Sequence, residues 1–336
     1  MRYSASEKYE IIRLVEESSL SIRRTLEHLD IHRSTFYNWL KRYHENGIDG
    51  LKDRKPSPMA VWNKISQDHQ DAIIDVALDK PALSPREIAV TYTDQEAYFV
   101  SESSVYRLLK AQDLITSPAY ILMQASDKFQ HPSKRVNELW QTDFTYFKII
   151  GWGWYYLSTV LDDYSRFIVA WQLCTSMTAN DVAETLDDAL YFTGLDQIKV
   201  RHKPRLLSDN GPCYLSGELS SYLKEKGMTH TRGKPYHPQT QGKIERWHRS
   251  MKNRILLNNY YLPGELQEHI QQFVSYYNHE RYHESLDNLT PADVYYGRGK
   301  AILDQREKIK CDTLSVRRKM YYDNKYLTNQ MSDSIS

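Results

Sequence analysis

The chain has 336 residues, 44 Lys and Arg against 43 Asp and Glu, and a formal net charge of +1. That length is too great for one ordinary domain, and the 40% apolar share is enough to fill real cores. Cys174, Cys213 and Cys311 lie far apart with no C-x-x-C pair, which excludes a zinc knuckle of paired cysteines and gives no sign of a disulfide framework. No apolar run approaches the ~20 residues of a membrane span, so a soluble, intracellular protein is expected.

In chain order, residues 6–45 read as three helices. Ile11, Ile12, Leu14 and Val15 mark the first apolar face, Ser21 can cap a second helix carrying Ile22, Leu26 and Leu29, and Asp30-Ile31 makes a turn. The third helix starts near His32, with Phe36, Trp39 and Leu40 inward and Arg33, Ser34, Thr35, Tyr37, Asn38, Lys41 and Arg42 outward. This is helix-turn-helix spacing, in which the last helix offers hydrogen-bonding side chains to the DNA major groove. A plain three-helix bundle is the alternative, but an outer face of Arg, Asn, Ser and Thr favours DNA. The expected domain is 1–46, followed by a Gly-, Pro- and Lys-rich linker over 47–65.

Residues 66–116 repeat the helical logic. Ile73, Ile74, Val76 and Ala77 form one face, Ser84-Pro85 opens a second helix, and Ser101 opens a third with Val105, Leu108 and Leu109. Tyr98-Phe99-Val100 is expected as a small strand, making this a winged helix-turn-helix; a structural spacer is the other reading. A linker over 117–135 follows.

From residue 136 the pattern changes. Runs at 139–149, 154–162 and 165–173 predict three antiparallel strands, joined by Gly151-Trp152-Gly153 and Asp162-Asp163-Tyr164-Ser165. Then come a helix near 178–193, a strand at 204–208, a helix near 216–226, a strand near 228–231, and helices near 241–256 and 264–281. The expected fold is therefore multidomain: two all-α helix-turn-helix domains, then an α/β ribonuclease H-like core over 136–296 with a mixed five-stranded sheet. Residues 297–336 are expected as a C-terminal tail, either basic and DNA-touching or frayed.

Three acids stand out in this core. Asp143 lies in the first strand, Asp209 follows Leu206-Leu207-Ser208 and precedes the turn pair Asn210-Gly211, and Glu245 sits early in a helix. Two strand carboxylates and one helix carboxylate, gathered by folding, can hold two divalent cations, the apparatus for cutting and joining phosphodiesters. Glu245 is the lone acid between residues 229 and 260, among Arg232, Lys234, Lys243, Arg246, Arg249, Lys252 and Arg254. Asp162 and Asp163 are read as shaping the turn before Ser165 rather than as ligands. His237 is read as a loop contact to DNA, because a Mg²⁺ site favours oxygen over imidazole. Arg249 and Lys252, four and seven residues beyond Glu245, share its face and can reach phosphates, with Lys243 and Arg246 flanking them. A solvated basic helix face is the bland alternative.

Residues 138–296 resemble the integrase core of bacterial insertion-sequence transposases of the DDE superfamily, which are in turn similar to retroviral integrases. The resemblance rests on Trp140-Gln141-Thr142-Asp143-Phe144-Thr145, Leu161-Asp162-Asp163-Tyr164-Ser165-Arg166, Ser208-Asp209-Asn210-Gly211, Pro235 to Arg246, and Tyr277-Asn278 with Arg281-Tyr282-His283 and Leu289-Thr290-Pro291-Ala292. It implies that Asp143, Asp209 and Glu245 bind two Mg²⁺ or Mn²⁺ ions and catalyse 3′-end cleavage and strand transfer. It also implies double-stranded DNA partners (terminal inverted repeats and target), at least a homodimer on DNA, and a cytoplasmic bacterial protein associated with the nucleoid when bound. The histidine-and-cysteine zinc domain of the viral enzymes has no counterpart here, so the relation is to the transposases. A catalytically inactive DNA-binding regulator and a nuclease that only hydrolyses are the competing readings.

Overall fold

The computed structural model describes residues 3–18, 20–52, 61–115, 133–197, 203–233 and 242–333, and the chain divides into two units, Met1–Lys64 and Ile65–Ser336. In the first unit, α1 (Ala5–Glu17) opens with a reciprocal cap: Glu7 N–H donates to Ser4 Oγ at 3.3 Å and Ser4 N–H donates to the Glu7 carboxylate at 2.6 Å. Its buried face is Lys8, Ile11, Ile12 and Val15. Leu14, expected inward, is 54% exposed because it stands roughly a third of a turn away from that stripe. Helix α2 (Ile22–His28) buries Leu26 but leaves Ile22 exposed, and Ser21 stands at its N-cap without a side-chain bond. Asp30 takes a left-handed φ of 53° in the turn.

Helix α3 (Arg33–Gly50) turns Phe36 and Trp39 into the core and half-buries Leu40. The stretch 47–65, expected as a linker, begins as structure. The helix bends at Gly47 (φ 61°, ψ −152°) and continues to Gly50, and Leu51 is fully buried in the same core. Lys8 Nζ donates to the Leu51 carbonyl at 3.2 Å, which ties this end back to α1. Residues 53–60 of the expected linker and most of 117–135 lie outside the described residues.

The second unit begins with α4 (Gln67–Asp79), α5 (Pro85–Glu96) and α6 (Glu102–Ala111), packed around Ile73, Ile88, Tyr92, Val105 and Leu109. Ser84 caps α5 ahead of Pro85 as expected, and Glu87 completes a reciprocal capping box with it. The expected strand at 98–100 is absent, and with it the wing. The backbone groups a strand would pair are taken by a helix instead: Phe99 N–H donates to Thr313 Oγ1 at 3.0 Å, and Arg317 Nη2 donates to Phe99 O at 2.7 Å. Those residues belong to α13 (Gly299–Asp333), a helix where a tail was expected. Arg306 adds a two-point ion pair to Asp94, at 2.8 and 2.6 Å.

The core sheet has the order β3-β2-β1-β4-β5. Strands β1 (Leu139–Ile149), β2 (Gly153–Asp162) and β3 (Ile168–Cys174) form an antiparallel meander, and β4 (Arg205–Ser208) and β5 (His230–Arg232) join parallel to β1 and to β4 respectively. Side-chain alternation along β1 sends Trp140 to one face and Phe147 and Ile149 to the other. Helices α7 (Ala179–Thr193), α8 (Pro212–Leu215) and α9 (Gly217–Glu225) cover the first face. The second is covered by α10 (Gly242–Ile255) and α11 (Pro263–His279), with α12 (Pro291–Tyr295) closing the domain. Strand β3 starts three residues later than its apolar run suggested. Asp162 Oδ2 accepts from Ser165 N–H and Oγ–H, and Arg166 adopts a left-handed φ of 64°, so 163–167 is a turn. Asn278 on α11 then pairs both ways with the Ile168 backbone, at 2.9 and 3.0 Å.

The position of α10 is set by two devices. Ile244, Trp247, His248, Met251 and Ile255 recur at helical spacing and are buried, with Trp247 edge-on to Tyr277 at 4.6 Å between centroids. At its first turn, the fully buried Asp163 accepts from Gln141 Nε2 at 2.7 Å, from Lys243 Nζ at 2.9 Å and from Ser133 Oγ, while Gln141 Oε1 accepts from Ile244 N–H at 3.2 Å. Trp247→Ala should lower unfolding free energy by about 3–5 kcal/mol in chemical denaturation, from lost burial and the cavity left behind. Asp163→Ala, which strands the Lys243 ammonium and the Gln141 amide, should cost about 3 kcal/mol. A loss under about 1 kcal/mol at Asp163 would show that the network does not anchor the helix.

Candidate active site and nucleic-acid interface

Strand pairing brings the first two acids together. In the parallel ladder Gln141 lies opposite Leu207, so Asp143, in the middle of β1, and Asp209, just past the end of β4, each stand two residues on and on the same face. Asp209 Oδ1 accepts from Gly211 N–H at 2.9 Å, closing the Asn210-Gly211 turn. A Cβ at Gly211 would stand 3.0 Å from that oxygen, so the glycine serves close approach rather than an unusual backbone angle. Burial pushes the Asp209 carboxyl above the usual carboxylate range, the Gly211 hydrogen bond opposes it, and the Asp143 charge raises it further. Behind the pair, the buried Tyr214 hydroxyl lies 3.4 Å from Thr142 Oγ1.

Helix α10 presents its own face to Asp143. His248 is buried, with Nδ1 3.4 Å from Asp143 Oδ2 and Nε2 without a hydrogen-bond partner among the described residues. Lys252, one turn further, is half-buried and holds its ammonium 4.4 Å from the Tyr146 ring centroid. Burial lowers its pKa and the Asp143 charge acts in the opposite direction. Glu245 precedes His248 by three residues on the same helix and is exposed. The three acids do not converge on a single point: among the described residues no group of three His, Cys, Asp or Glu stands close enough to hold a metal ion. What the structure does bring together is Asp143, Asp209, His248 and Lys252.

The other basic candidates divide. Lys243 is drawn to Asp163, donating also to its backbone carbonyl at 2.7 Å, and its side chain is only 25% exposed. It anchors the helix rather than facing solvent as a phosphate contact. Arg246 and Arg249 are exposed. His237 and the loop over 234–241 lie outside the described residues. On α3 of the first unit, Arg33, Ser34, Thr35, Tyr37, Asn38 and Lys41 are all exposed as expected for a recognition face, with Lys41 3.9 Å from Glu45. Arg42 is half-buried and donates to the Lys52 carbonyl at 2.6 Å, so it holds the helix end.

Asp162 and Asp163 are fully buried and hydrogen-bonded away from Asp143. Asp162 shapes the turn, as read from sequence, and Asp163 does more by locking α10. His248 is the residue that sequence reading missed. Its signal was available, since positions 245, 248 and 252 share one helical face, but a histidine there looks like any core histidine until Asp143 is placed opposite it.

Family models match most of the chain in pieces. Residues 133–238 and 226–291 each match an integrase core domain, residues 7–59 a helix-turn-helix domain, and residues 35–109 a homeodomain-like domain. The transposase for transposon Tn552 of Staphylococcus aureus is 27% identical over 283 residues, covering 78% of this chain and 58% of that protein. The Pol-related polyprotein of mouse intracisternal A-particle MIA14 is 29% identical over 202 residues, covering 57% of this chain and 22% of that protein. This chain therefore spans less than two thirds of the length of either relative. Among solved structures, the HTLV-2 integrase catalytic core domain in complex with magnesium is 22% identical and covers 48% of this chain and 97% of that one, with a TM-score of 0.39. The chain thus carries an integrase core domain built on a mixed five-stranded sheet, preceded by helix-turn-helix and homeodomain-like domains, and is similar in sequence to a bacterial transposase and to retroviral polyproteins.

Proposed function

We propose that this chain is a DDE transposase that binds the terminal inverted repeats of its element and carries out metal-dependent 3′-end cleavage and strand transfer. The observation that carries the reading is the juxtaposition of Asp143 in β1 with Asp209 just past the end of the adjacent parallel strand β4, faced by the helix that bears Glu245. The donor set fits a hard divalent cation. The Asp143 charge adds to the cost of ionising Asp209, a cost that bound Mg²⁺ or Mn²⁺ would remove, and such ions take carboxylate oxygens plus substrate phosphate. Asp143 and Asp209 would hold two ions with Glu245 joining from α10, one turn (about 5 Å) ahead of the residue that touches Asp143. When bound, the metals supply a lowered pKa for the attacking water or 3′-hydroxyl and stabilisation of the leaving oxygen.

The protein's own groups do the rest. Lys252 places a positive charge beside Asp143, where the scissile phosphate would lie, and Arg249 and Arg246 extend that charge along the exposed side of α10. The α3 face of the first unit would read element ends in the major groove, and the α4–α6 module would add a second contact. Two ends held together call for at least two copies of the chain. The Tn552 relative's name agrees with this reading.

The deciding assay uses the purified chain and a labelled duplex carrying the terminal repeat. With Mg²⁺, nicked and joined products are expected from the wild type. Asp143→Ala, Asp209→Ala and Glu245→Gln should each abolish them, as should chelation with EDTA, while end binding stays within about twofold. Products that persist in Glu245→Gln would remove that residue from the site. Tight specific binding without any product from the wild type would instead support a regulator. In gel-shift titrations, Asn38→Ala should weaken binding to the specific end by about 1–3 kcal/mol, the worth of a bidentate base contact, and leave non-specific binding unchanged. Equal losses on both DNAs would mean that Asn38 reads no base.

A further inference from the structure

The β1–β2 hairpin carries a feature that cleavage by three acids does not use. Its two faces differ: Phe147, Ile149 and Leu157 are buried under α10 and α11, while Tyr146 and Trp154 on the other face are 55% and 52% exposed. Their rings meet edge to face at 5.4 Å, a diagonal pair set by the register Tyr146↔Tyr156 and Lys148↔Trp154. Each ring has a lysine against it. Lys252 Nζ stands 4.4 Å from the Tyr146 centroid and Lys148 Nζ 5.9 Å from that of Trp154. Asp143 stands on the α10 face of β1 and Tyr146 on the opposite face, and Lys252 joins the two, set beside Asp143 and against the Tyr146 ring, from which the line continues to Trp154 and Lys148.

Exposed aromatic rings interleaved with ammonium groups suit nucleotides better than protein. The core of a protein interface is depleted in lysine, whereas a nucleic-acid strand needs a π-face for each base and a positive charge for each phosphate. A base inside a duplex has both faces covered by its neighbours, so the rings could take only bases that have left the stack. Along the strand Tyr146 is three residues from Asp143, about 10 Å, and a DNA strand leaving Asp143 would reach the rings by passing Lys252, which spans the change of face.

We propose that the Tyr146–Trp154 face is a stacking platform for unpaired bases of the DNA strand whose phosphodiester lies at Asp143 and Asp209, with Lys252 and Lys148 on the adjoining phosphates. This rests on the transposase reading and adds to it a subsite for a frayed or single-stranded end. The platform is rigid because the opposite face of the same hairpin is packed into the core, and the rings are exposed enough that replacing them removes little buried surface.

The test is a binding measurement in EDTA, so that it does not depend on cleavage. The full chain is titrated with a terminal-repeat duplex, blunt or carrying a short single-stranded end with 2-aminopurine in it. The unpaired end should strengthen binding about tenfold and its 2-aminopurine fluorescence should fall on binding. Trp154→Ala and Tyr146→Ala should each lose most of that gain without changing affinity for the blunt duplex, and Trp154→Phe should keep most of it. A gain that is absent, or that survives both alanine variants, overturns the proposal. So does a dimer that falls to monomer in Trp154→Ala while the gain is intact, since the face would then join two copies of the chain. Loss of the transposase reading is seen separately, as a failure to cleave with Mg²⁺ whatever the binding result.

Discussion

Two carboxylates held side by side against their mutual repulsion are the constraint around which the core is organised. The parallel pairing of β1 with β4 covers only Leu139–Gln141 against Arg205–Leu207, yet it fixes where both acids stand. Residues two beyond the last ladder pair, Gln141 with Leu207, fall on the same face, so Asp143 and Asp209 meet because the ladder is in that register. A slip by one residue would send one of them to the opposite face. The end of β4 suits such a pair, because the buried apolar ladder gives way there to the Asn210-Gly211 turn and to solvent.

That arrangement needs a helix at a defined height across from it, and α10 is held by different physics at its two ends. Apolar packing of Trp247, Met251 and Ile255 gives it a face but leaves its axial position soft. The Asp163 network removes that softness, since a buried carboxylate tolerates only geometries that satisfy its oxygens, and it draws Gln141 from the Asp143 strand and Lys243 from α10 into one cluster. The acid-bearing strand and the Glu245-bearing helix are thus tied to each other through Asp163, which is buried and never reaches the open side of the site.

The second helical module shows the same division between packing and polar docking. Its core is small and closes on Ile73, Ile88 and Val105, while its attachment to the long α13 runs through Arg306, Thr313 and Arg317. The carbonyl and amide of Phe99 are satisfied by those side chains, so the segment has no need of a partner strand. This is why a β-rich tripeptide at 98–100 stays irregular: intrinsic preference for strand is weak without a neighbouring edge, and here helix side chains supply the bonds.

By itself the sequence determined what local chemistry can encode. Alternating apolar runs specified the meander, and pairs such as Ser84-Pro85 placed helix starts. The integrase core and the helix-turn-helix domains were also legible, because short ordered motifs mark them without coordinates, and the three acids came with them as an expectation. Contacts between distant segments were decided only by the tertiary structure. Leu14 and Leu51 exchange their expected surroundings because burial depends on which face a neighbour covers. Lys243 looks like a flanking phosphate contact and Arg42 like part of the groove-facing side of α3, and they are tied to Asp163 and to the Lys52 carbonyl. His248 and the Tyr146–Trp154 pair acquire meaning only once Asp143 stands beside the first and Lys252 and Lys148 beside the second. A sequence records which groups a residue carries, and folding alone determines which groups it meets.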